Sequence, residues 1–149
     1  MLCPQLYGRN RVHLLVAQVN KYIHCIYSNK MNQILLIAIL MVIFDAVYLN
    51  AIGKVYGEQV AKVQRTAMNV KWEGAVACYL LMIGGLYYFI VKDKRSIFDA
   101  FLLGILVYGV YDATTYAIFK KWSPVIAIVD TLWGGVLFAL TTMITYQLS

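Results

Sequence analysis

Four long apolar runs, each about the length of one bilayer crossing, alternate with short polar breaks along this chain. The run from Gly74 to Val91 carries no charge, and the run from Gln33 to Ile52 carries only Asp45. Apolar residues occupy all sides of these runs, as in helices immersed in a core or in lipid. About 20 such residues cross the hydrocarbon of a membrane. The pattern therefore predicts spans at about 33–52, 72–91, 97–119 and 125–146. Residues 53–71 interrupt it with Gly53, Gly57, Glu58, Lys54, Lys62, Arg65 and Lys71, and read as a loop with one amphipathic turn around Val60–Val63. Lys92-Asp93-Lys94-Arg95 reads as a tight turn. Lys120-Lys121-Trp122-Ser123-Pro124 ends the third helix and opens the fourth, because proline suits a first helical turn but not a helix interior. The expected fold class is all-α: an integral membrane four-helix antiparallel bundle.

Residues 1–30 follow a different pattern. Val12, Leu15, Val16, Val19, Tyr22, Ile23 and Ile26 recur at helical spacing, with Arg11, Gln18, Asn20, Lys21 and Ser28 on the other side. Such a segment reads either as an N-terminal amphipathic helix lying on the membrane surface or as a dispensable extension to a four-span domain, 31–149, that starts at Met31. A secretory signal fits less well, since His13 and Gln18 break the apolar run and no small-residue cleavage site follows.

Composition strengthens the membrane reading. Of 149 residues, 62% are hydrophobic and 13% charged, whereas soluble domains carry about 25% charge. The net charge of +6 raises nucleic acid as a partner, but the basic residues are spread over the tail and every loop, so lipid headgroups are expected instead. Arg9, Arg11, Lys21, Lys30, Lys92, Lys94 and Arg95 flank one face, and Lys54, Lys62, Arg65, Lys71, Lys120 and Lys121 the other. That near-balance gives the positive-inside rule no orientation; a start at Met31 would make the second face cytoplasmic. Cys3, Cys25 and Cys78 have no metal or disulfide spacing.

The chemistry lies in the acids within the spans. Four spans joined by short breaks must alternate in direction. At about 1.5 Å per residue, Asp45, Asp112 and Asp130 then lie roughly 8–10 Å inside one face. A charged residue at mid-helix costs roughly 2.5–3.5 kcal/mol on insertion scales, so all three are expected to point into the bundle. Tyr108, Tyr111, Asp112 and Thr115 form one polar stripe at helical spacing, and Tyr48 lies one turn from Asp45, supplying hydroxyl donors. Gly109, Ala113 and Ala117, with Gly134 on the next helix, allow close approach. The candidate buried polar or ion site is Asp45, Tyr48, Tyr108, Tyr111, Asp112, Thr115 and Asp130, with Arg65, Glu73, Lys121 and Trp133 as its rim.

Several of these segments recur together in one known group. Phe44-Asp45 with Tyr48-Leu49, Tyr111-Asp112-Ala113-Thr114-Thr115-Tyr116-Ala117, Lys121-Trp122 before Pro124, and Asp130-Thr131-Leu132-Trp133-Gly134 resemble a family of small four-helix predicted membrane proteins that carries a domain-of-unknown-function label. The likeness runs from about Met31 to the C-terminus. Thr115 stands where that family usually has asparagine, and Ser123 separates Trp122 from Pro124. The resemblance implies a four-span integral membrane protein. The localisation expected is a bacterial inner membrane, or a cellular or viral internal membrane.

Two functions follow for the acids. One is a non-enzymatic structural or assembly component, in which a buried aspartate layer fixes helix register and the partners are the bilayer, a second copy or other membrane proteins. The other is a small transporter or channel subunit that moves protons or cations through the layer. An enzyme is not expected. Residues 31–149 hold no histidine, Cys78 sits in an uncharged helix, and nucleophilic catalysis needs a nucleophile with a base in reach. A paired-aspartate protease is conceivable in principle, but Tyr111-Asp112 and Val129-Asp130 lack the Gly-x-Gly-Asp setting of such enzymes. No cofactor is implied, and the oxygen-rich set would suit only hard cations, if a metal at all.

Overall fold

A computed structural model describes the backbone of residues 11–65 and 71–148, without the side chains of 11–17 and 20–29. The described residues form four helices in chain order: α1 (Arg11–Gln64), α2 (Trp72–Leu86), α3 (Ile97–Ile118) and α4 (Pro124–Leu148). A π-helical segment, Tyr87–Val91, continues α2. Lys30–Gln64, Trp72–Val91, Ile97–Ile118 and Pro124–Leu148 are each long and apolar enough to cross a membrane. Residues 11–32 belong to a separate compact unit, Met1–Asn32, and are helical. Most of the two-faced pattern read there falls on side chains outside the described residues, and residues 1–10 lie outside them entirely. The second unit, Gln33–Ser149, holds all three span aspartates.

The helix boundaries match the hydrophobic pattern with one exception. The expected loop at 53–71 is largely helix, since α1 runs on to Gln64. Two glycines at about 1 kcal/mol each do not end it, because an inward stripe continues: Ile52, Tyr56, Gln59, Val60 and Val63 are buried or half-buried, while Lys54, Glu58 and Lys62 are exposed. Those three charges stand at i, i+4 and i+8, where opposite signs support a helix. Arg65 then turns the chain with φ of 58°.

The other turns are built locally. Ser96 caps α3: its Oγ accepts from Asp99 N at 3.0 Å, and the Asp99 carboxylate accepts from Ser96 N at 3.3 Å. This reciprocal pair satisfies two otherwise orphaned donors. The Tyr146 hydroxyl donates to the Arg95 carbonyl at 2.8 Å, fastening the end of α4 to the preceding turn. Pro124 is the first residue of α4, as expected.

The core comprises Ile37, Met41, Met82, Leu86, Ile90, Val91, Ala100, Leu137 and Phe138. The tightest seam joins α3 and α4. Gly104 lies against the Gly134 carbonyl, and the Tyr108 ring covers Gly134. Close approach was expected at Gly109, Ala113 and Ala117 on α3 and at Gly134 on α4. Gly134 supplies it, but against Gly104, with only the Thr131 side chain over Gly109 and with Ala113 and Ala117 exposed. Outward positions are apolar, among them Leu35, Val47, Leu81, Leu106, Val110, Ile128 and Leu132. A belt of that kind suits acyl chains in place of water.

Candidate functional site: a stepped set of aspartates

All three span aspartates are buried: Asp45 and Asp130 are 8% exposed and Asp112 is 1% exposed. Burial in lipid requires their oxygens to find donors inside the bundle, and interhelical bonds provide them. The Asp45 Oδ2 accepts from the Tyr79 hydroxyl of α2 at 2.5 Å, a length typical of strong O–H to carboxylate bonds. Its Oδ1 accepts from Trp133 Nε1 of α4 at 3.3 Å. One turn along α1, Tyr48 donates to Asp130 Oδ1 at 3.0 Å. The Tyr48 ring stacks on Trp133 with centroids 4.5 Å apart and planes 6° from parallel.

This pairing makes an antiparallel ladder. Asp45 and Tyr48 are three residues apart on α1, and Trp133 and Asp130 three apart on α4, so each acid on one helix meets an aromatic donor on the other. The expected level layer is consequently stepped. Asp45 pairs with Trp133, which lies about 4.5 Å along α4 from Asp130.

Asp112 belongs to a different seam. Its Oδ2 accepts from the Thr131 hydroxyl at 3.1 Å. Thr131 follows Asp130, and successive residues diverge by about 100° around a helix with 3.6 residues per turn. Asp130 therefore faces α1 while Thr131 and Asp112 meet between α3 and α4. The Asp112 Oδ1 is buried with no partner among the described residues. Asp112 also lines a groove of about 490 Å³ between α3 and α4, walled by Ile105, Gly109, Ala113, Tyr116, Ala127, Ile128 and Leu132, among others.

The polar stripe on α3 is only partly as expected. Tyr108 is half-buried, and Asp112 and Thr115 are buried, but Tyr111 is 54% exposed. The inward face of α3 runs Ala100, Gly104, Tyr108, Asp112, Thr115, and Tyr111 sits about 100° off it. Its hydroxyl lies 3.3 Å from that of Tyr56. Thr115 donates to the Tyr111 carbonyl of its own helix at 2.8 Å. In the expected rim, Arg65, Glu73 and Lys121 are exposed, whereas Trp133 is half-buried and bonds directly to Asp45. Arg65 and Lys121 border a separate cleft of about 180 Å³ with Lys62 and Lys120.

Four partners escaped the sequence reading as site residues. Tyr79 was legible as the hydroxyl in the uncharged stretch of α2 that follows Glu73, and Thr131 as the neighbour of Asp130. Tyr56 and Gln59 fall in the stretch whose glycines and charges read as a loop. In the helix, the Tyr56 ring meets the buried Trp122 edge-on with centroids 5.7 Å apart. Gln59 Nε2 donates to the Lys121 carbonyl. Among the described residues, every side-chain donor that reaches the three acids is a hydroxyl or an indole N–H, none a cation. Among the described residues no three His, Cys, Asp or Glu side chains converge to hold a metal ion.

The sequence of these four membrane-length helices matches a family described as predicted membrane protein (DUF2177) over residues 30–147. The chain belongs to that family. No curated protein and no solved structure gives a match. In this DUF2177 protein the three aspartates and, among the described residues, every side chain bonded to them lie within the matched residues.

Proposed function

We propose that this membrane protein is a non-enzymatic structural or assembly component, in which the aspartates fix the register of the helices and so present a defined outer surface to partners in the bilayer. The observation that supports this reading is that each aspartate accepts a bond from a different helix: α1 to α2, α1 to α4, and α3 to α4. A polar side chain inside a bundle cannot slide by one residue without losing such a bond, at a cost of about 0.6 kcal/mol each in measured membrane cases and up to about 1.7. The membrane in which it works is proposed to be a bacterial inner membrane or a cellular or viral internal one.

A second reading, a small transporter or channel subunit for protons or cations, draws on one feature: among the described residues the acids have no basic side-chain partner, so protons or a cation would offset their charge. Liposomes containing the full chain separate the two. The structural reading expects Asp45→Asn and Asp130→Asn to lower resistance to unfolding, with no proton or cation flux in any variant. Flux in the unmodified protein that Asp112→Asn abolishes would replace it with the transporter reading.

A further inference from the structure

The groove between α3 and α4 combines a largely apolar channel open to the lipid side with one acidic side chain, Asp112, in a lining whose other polar groups are the hydroxyls of Tyr116 and Thr131. Ala113, Ile128 and Leu132 on its walls are exposed, and Asp112 is 1% exposed with Oδ1 lacking any partner among the described residues. An acceptor oxygen left unmade in a buried place is costly, and a carboxylate makes its strongest bonds to cationic donors.

We propose that this groove binds a single-chain amphiphilic primary amine, its ammonium on Asp112 and its apolar tail along Ile105, Ala113, Ile128 and Leu132. Three features narrow the class. The volume, about 490 Å³, falls in the range of about 300–1,000 Å³ that holds one small organic molecule. Among the described residues no lysine or arginine lines the groove, so an aminophospholipid would bring in a phosphate with no cation to meet it, and a free amine is favoured. A primary ammonium has three N–H donors, one for Asp112 Oδ1 and another for the lone pairs of the Thr131 hydroxyl beside it, whereas a quaternary ammonium has none.

The test uses the full chain in phosphatidylcholine nanodiscs at pH 7, with dodecylamine as probe and dodecanol and dodecyltrimethylammonium as comparisons. Expected is saturable binding of one dodecylamine per chain, weakened about 10-fold or more by Asp112→Asn and by Ile128→Trp. The second variant fills the groove from an exposed wall, so it leaves the core packing alone if the aspartate change disturbs folding. Dodecanol and the quaternary compound are expected to bind at least about 10-fold more weakly. Equal binding of all three probes, or unchanged dodecylamine affinity in Ile128→Trp, overturns the proposal. Displacement of dodecylamine by phosphatidylethanolamine added to the discs would overturn the choice of a free amine and assign the groove to a lipid.

Discussion

Adding one methyl group at Gly104 should damage this bundle more than the same change at any open glycine. A Cβ built there would lie 2.7 Å from the Gly134 carbonyl carbon and 2.9 Å from Gly135 Cα. Carbon atoms rest at about 3.5–4.0 Å, so α3 and α4 would have to part by most of an ångström. The obstacle is main chain, which no rotamer change can move aside. A gap of that size forfeits about a quarter to a half of the dispersion energy along the seam, where Ala100, Leu137 and Phe138 are buried. Overpacking typically costs about 1–3 kcal/mol, and a main-chain collision belongs at about 3 kcal/mol. Gly135→Ala would meet the Phe101 ring and Ile105 Cγ1 at 2.7–2.9 Å. Those side chains can adjust, so about 1 kcal/mol is expected. Gly84→Ala meets nothing within 4 Å and, through helix propensity, should be neutral or up to about 1 kcal/mol stabilising. Unfolding in mixed micelles by added sodium dodecyl sulfate, followed by tryptophan fluorescence, gives the three values. A Gly104→Ala variant within about 0.5 kcal/mol of the unmodified chain, or a Gly84→Ala variant losing as much as the 3 kcal/mol expected at Gly104, would refute the close-packed seam.

Three further experiments test the bonds around the acids and the turns. Tyr48→Phe and Asp130→Asn should show a coupling of about 0.6–1.7 kcal/mol in a double-mutant cycle, measured by the same unfolding; additive effects would mean the 3.0 Å bond contributes nothing. Tyr79→Phe removes the donor from Asp45 Oδ2 and should cost about 1–3 kcal/mol, while Tyr88→Phe, on an exposed ring, should cost under about 0.5 kcal/mol. Ser96→Ala should cost about 1 kcal/mol through loss of the α3 cap, visible as faster amide exchange in the first turn of α3 and unchanged exchange in the last turn of α2.

The helices were legible because lipid demands long uncharged runs, and Gly74 to Val91 is such a run. The end of α1 was not, because Gly53, Gly57 and a cluster of charges carry the local signature of a loop; the deciding factor is tertiary, the docking of Tyr56 and Gln59 onto the segment around Trp122. The burial of Asp45, Asp112 and Asp130 followed from the cost of exposing them. Their grouping did not, since depth along a helix says nothing of direction around it, and the step from Asp130 to Thr131 is enough to send Asp112 to another seam. Tyr111 shares the stripe by its i+3 spacing from Tyr108, yet it stands about 100° from Asp112 and so falls at the outer edge of that face. Trp133 read as a rim residue, yet its indole nitrogen is consumed by Asp45.

The apolar core carries a consequence for any solute that reaches the acids from the Trp122 end. Beyond Asp45, α1 places Met41 and then Ile37 one and two turns on, both 0% exposed; beyond Trp133, α4 places Leu137 and Phe138, and beyond Tyr79, α2 places Leu86. Those side chains close the next roughly 6–12 Å of the bundle. In a single copy of this conformation those side chains stand between the acids and the far end of the bundle, so passage beyond the acids requires the helices to move apart.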